Sequence, residues 1–119
     1  MIADKKTIGL TPENESIMDH LMTLGLFNDK IEAAKFALAL AINRGIKPGA
    51  LERAETVWNV GSFDSDGHLR NLIPALFPGT ELPYRAVESL LNAGIEIIGQ
   101  DMAAGREIDV IALMTTETV

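Results

Sequence analysis

Lys5-Lys6-Thr7-Ile8-Gly9-Leu10 alternates like a strand and stands alone ahead of two helical segments. A strand of five or six residues cannot satisfy its own backbone groups, so it needs a partner. That partner comes either from elsewhere in the chain or from a second copy, and the choice shapes everything downstream. Thr11 can cap free amides, Pro12 suits a first helical position, and Glu13 and Glu15 complement the positive end of a helix dipole. Ile17, Met18, Leu21 and Met22 form an apolar face, and Gly25 ends this helix. Asn28 is the expected cap of a second helix that stops at Arg44-Gly45. From Phe36 to Ile42 that helix is apolar around nearly its whole circumference, which predicts burial on several sides.

The second half reads less clearly. Ala50 to Glu55 is a loop or short helical turn, and Val57-Trp58-Asn59-Val60 a short strand ended by Gly61. His68 to Phe77 has helically spaced Leu69, Leu72, Ile73 and Leu76, with Pro74 expected to kink or end it. Pro83 opens a last long helix whose Val87, Leu90, Leu91, Ile95, Ile98 and Met102 share a face, with Gly105 as its stop. Val110 to Leu113 reads as a terminal strand, and residues 115–119 as a frayed end. No repeat, linker or low-complexity segment divides the 119 residues, which are enough for one hydrophobic core. The expected fold is mainly α with short strands (α+β). It comprises a strand-helix-helix unit over 1–47 and a helical extension over 48–119, with no independent second domain.

Charge and composition narrow the function. With no cysteine there is no disulfide framework, thiolate zinc or cysteine nucleophile. The opening residues lack the basic start and apolar core of a signal peptide, and the apolar run Phe36 to Ile42 is too short to cross a bilayer. A cytoplasmic protein is the expectation. The net charge of −7 disfavours phosphate, yet it is unevenly spread. Six basic and six acidic residues balance up to Lys47, whereas four arginines face eleven carboxylates beyond it.

Catalytic signatures are missing. Asp64-Ser65-Asp66-Gly67 is faintly similar to a calcium loop, but with Gly67 at its sixth position Ile73 falls where a bidentate glutamate is required. A capped turn explains it better. His20 and His68 lack a second ligand at metal spacing and read as surface residues. Ser62, Ser65 and Ser89 lack the glycine-flanked elbow of a serine hydrolase, and no glycine-rich phosphate loop follows a strand. Trp58 reads as a core anchor. The expectation is a protein without catalytic residues, metal or cofactor.

Thr7 to Gly45, and above all Asn28-Asp29-Lys30-Ile31-Glu32-Ala33-Ala34-Lys35-Phe36-Ala37-Leu38, resembles the ribbon-helix-helix pattern. In that superfamily two chains pair their strands into a ribbon that enters the major groove, and the second helix's N-terminus holds a phosphate. The resemblance implies a homodimer in which Ile8 and Leu10 face the core. Lys5, Thr7 and Gly9 would face DNA, with Lys6 snorkelling at the strand's start and Asn28 and Lys30 at the phosphate-holding turn. The DNA-contacting set is then Lys5, Lys6, Thr7, Asn28 and Lys30, with Gly9 and the short Thr7 giving poor base readout. More loosely, the whole chain resembles small accessory proteins of bacterial DNA-phosphorothioation (Dnd) systems. The likeness lies in the second helix ending near Gly45, in Val57-Trp58-Asn59-Val60, and in Ala93-Gly94-Ile95-Glu96-Ile97-Ile98. That implies a DNA-modification or defence context. Two function classes follow: a non-enzymatic DNA-associated or regulatory protein with weak DNA contact, and a protein-interaction adaptor whose acidic C-terminal half docks a basic partner.

Overall fold

A computed structural model describes residues 3–51 and 53–115. Its elements are β1 (Thr7–Leu10), α1 (Pro12–Thr23), α2 (Lys30–Asn43), β2 (Glu55–Asn59), α3 (Val60–Phe63), α4 (His68–Leu76), α5 (Pro83–Ala103) and α6 (Val110–Thr115). The architecture is mainly helical α+β, with one two-stranded antiparallel sheet. No helix among the described residues is long and apolar enough to cross a membrane.

The first strand finds its partner within the chain. β1 pairs with β2 in the register Thr7↔Asn59, Ile8↔Trp58, Gly9↔Thr56 and Leu10↔Glu55. Val57 is the extra residue of a bulge opposite Ile8/Gly9. Ile8 and Leu10 are fully buried, as their parity predicts. The expected second strand is therefore real but starts earlier, at Glu55, and Val60 already belongs to α3.

The 21-residue α5 is the spine, and α2, α4, α1 and β1 all pack on it. Val87, Leu90, Leu91, Ile95 and Ile98 are fully buried there, while Met102 is only half-buried. α2 lies against α5 through small side chains, with Ala33, Ala34, Ala37 and Ala41 fully buried beside Leu38 and Leu40. At Gly94 a Cβ would overlap the Ala37 carbonyl, so the two backbones come as close as a glycine permits. The burial expected on several sides of α2 from Phe36 to Ile42 is incomplete: Ala39 is exposed, and Phe36 and Ile42 are half-buried. An alanine-rich helix buries little width, and its apolar circumference reflects small side chains rather than neighbours on every side.

The helix ends follow the sequence closely. Thr11 Oγ1 accepts from Asn14 N at 3.2 Å, and Gly25, Gly45 and Gly105 close α1, α2 and α5 at φ of 73°, 76° and 75°. Two expectations fail for stated reasons. Asp29, not Asn28, caps α2, its Oδ1 accepting the Glu32 N–H at 2.8 Å, because a carboxylate complements the helix dipole. Pro74 lies inside α4, two residues before its end at Leu76, with Ile73 buried. Residues 110–115 form a helix rather than a strand: Asp109 Oδ1 caps Ala112 N at 3.0 Å, and Leu113 is buried. Of the tail expected to fray, 116–119 lie outside the described residues.

Candidate functional site

The five residues expected at DNA are distributed over two elements and mostly engaged with the chain itself. Lys5 Nζ lies 3.2 Å from Glu88 Oε2, so this lysine is half-buried and paired rather than free. Lys6 is exposed, and its carbonyl accepts from Val60 N at 3.0 Å. Thr7 is half-buried with its hydroxyl 3.3 Å from that of Thr56. At the head of α2, Asn28 Nδ2 donates to Glu32 Oε2 at 3.2 Å and Lys30 Nζ meets Asp19 Oδ1 at 2.9 Å. The amide that a phosphate would seek there is already taken by the Asp29 carboxylate.

Gly9 does not face outward. It is buried, and a Cβ on it would stand 2.5 Å from the Glu55 carbonyl oxygen. Its N–H donates to Glu88 Oε2 at 2.9 Å, and its carbonyl accepts from Asn92 Nδ2 at 3.0 Å. Asn92 Oδ1 accepts in turn from Thr11 N at 3.1 Å and Asn14 Nδ2 at 2.8 Å. Side chains of α5 thus serve as the third strand of the sheet, sealing the outer edge of β1. Glu88 and Asn92 are 3% and 1% exposed, a depth at which unpaired polar groups are costly and hydrogen-bonded ones give a unique register. Sequence reasoning missed this network. Its trace is a glutamate and an asparagine one helical turn apart on a helix whose neighbouring turns are apolar.

A second polar centre organises the far end of the core. Asp64 Oδ1 accepts from Leu69 N at 3.1 Å, and Oδ2 accepts from Arg70 N at 3.1 Å and from the Tyr84 hydroxyl at 2.9 Å. Burial pushes the Asp64 carboxyl upward. The hydrogen bonds from Leu69, Tyr84 and Arg70, with the Lys35 charge, outweigh it and hold the group below its ordinary value. Burial, then the bond to Asp64, pushes the Tyr84 phenol up. The Asp64–Gly67 stretch is the capped turn expected from sequence. Trp58 is half-buried and tilted against Phe63, ring centroids 5.2 Å apart, with Lys35 Nζ over Phe63. Asp4 caps α5 from outside, its carboxylate taking Tyr84 N at 2.8 Å and Arg85 N at 3.1 Å.

Both histidines are exposed, and no group of three His, Asp or Glu among the described residues could hold a metal. A groove of about 480 Å³ lies between α1 and α5. Glu13 and Asn14 line it from α1, Glu96, Gly99 and Gln100 from α5, and Arg53 from the loop before β2. Arg53 Nη2 reaches Glu13 Oε1 at 3.3 Å. The Glu13 carboxyl is held below its usual range, first by its own backbone N–H and then by the Arg53 charge. Compared with known proteins, the chain matches no family model, no characterised protein and no solved structure.

Proposed function

We propose that this chain is a non-enzymatic adaptor that binds a basic segment of another protein through its carboxylate-rich surface. One observation carries the reading: two of the three lysines expected at DNA pair with the chain's own acids, while most of the described acids beyond Lys47 stand at exposed positions. Lys5 and Lys30 pair with Glu88 and Asp19. Glu55, Asp66, Glu81, Glu96, Glu107 and Asp109 are all exposed. Such a surface raises the local concentration of cationic ligands and repels phosphate.

Because β1 pairs with β2 inside the chain, no unpaired strand remains there to call for a two-fold ribbon. In a DNA-modification setting, the adaptor would act on the proteins of the complex rather than on the duplex. The test is a titration of a labelled arginine-rich peptide and of labelled duplex at low salt. Saturable, salt-sensitive peptide binding is expected, without duplex binding. Failure of the peptide to bind would overturn the adaptor reading.

A further inference from the structure

We propose that the groove between α1 and α5 is a guanidinium site that takes an arginine side chain of the partner protein, and that Arg53 holds its mouth in the free chain. The proposal rests on the adaptor reading and names the place where the basic segment docks. Two carboxylates line the groove, Glu13 from the first turn of α1 and Glu96 from α5, and Glu96 has no ion-pair partner among the described residues. Gln100 stands one turn beyond Glu96.

An independent feature points to a hydrogen-bond donor. Asn14 lines the groove at 1% exposure. Its Nδ2 is spent on the Asn92 carbonyl and Oδ1, while its own Oδ1 has no hydrogen-bond partner. Buried acceptors left unmatched are uncommon, and this one belongs to a residue of the wall that also carries the Glu13 and Glu96 carboxylates and the Gln100 amide. A guanidinium suits such a wall better than an ammonium, because five N–H groups in a planar fork can serve several oxygens at once.

The chain already places that chemistry there. Arg53 spans to Glu13, yet its side chain is 71% and that of Glu13 63% exposed, so the pair is a weak, solvent-screened one. An incoming arginine displaces it at little cost.

The test uses Nα-acetyl-arginine amide as probe, followed by the side-chain amide NMR signals of Asn14 and Gln100 in the full chain. Saturable shifts at both are expected, larger than with Nα-acetyl-lysine amide. Glu96→Gln should weaken binding about fivefold or more, and Arg53→Ala should tighten it by about two- to fivefold. Both positions are exposed, so neither variant threatens the fold. Shifts that never saturate, that spread evenly over the acidic surface, or that ignore both substitutions would overturn the groove. If the arginine-rich peptide still bound in that case, the adaptor reading would stand without this site; if it did not, both would fall.

Discussion

At Gly94 a single hydrogen atom in place of a side chain decides how closely α2 and α5 can approach. A methyl there would run into the Ala37 backbone, which cannot rotate away as a side chain would. Gly94→Ala should therefore cost about 3 kcal/mol despite the better helix propensity of alanine, read as a lower urea midpoint with unchanged slope. Asp64 is the other residue on which an end of the core depends. Its folded-state pKa is lowered, so it contributes stability that is present above the unfolded aspartate value of about 3.9 and is lost as pH falls through the lowered value. Asp64→Asn should flatten the acid limb of a stability-versus-pH curve measured by urea unfolding between about pH 5 and pH 2. An unchanged slope in that window would mean that Asp64 is not the group responsible.

At the scale of elements, what was legible had local causes. The start of α1, its stop at Gly25, the apolar face of α5 and its stop at Gly105 are written in caps and spacing, and they appear where expected. What was not legible depends on distant residues. The cap of α5 comes from Asp4, roughly eighty positions away, and the outer edge of β1 is closed by Glu88 and Asn92. Val110 to Leu113 has strand-like composition, but Asp109 and the docking of Leu113 against α2, with Arg44 Nη2 donating to its carbonyl at 3.3 Å, make it helical. Phe36 shows the same limit. Composition put it in the core, but it is half-buried and tilted on Phe27 with centroids 5.4 Å apart. Phe36→Ala should cost about 1–2 kcal/mol, well below the roughly 3–5 kcal/mol of a fully buried ring, whereas Leu40→Ala should cost about 3 kcal/mol. Denaturant unfolding of the two variants side by side reads the difference directly.

For the molecule as a whole, pairing β1 with β2 turns a strand-helix-helix opening into part of a single core centred on α5. The candidate site was legible only in its charge. The split between a balanced N-terminal part and an acidic remainder is visible in sequence, but which cations are already engaged is not, because Lys5 meets Glu88 only after β1 docks on α5. This also changes which substitutions are informative: Lys5→Glu would strand two carboxylates together at a buried position, whereas Lys6 and Lys30 can be altered without that penalty. The central claim is that the chain's surface is built for a basic protein segment and not for phosphate. Titration of labelled duplex DNA at low salt, followed by fluorescence anisotropy, tests it most directly. The account predicts no saturable rise for the unaltered chain. Saturable binding that disappears in the Lys6→Glu, Lys30→Glu double variant while the fold is retained would contradict it, and would place the N-terminal cations at DNA after all.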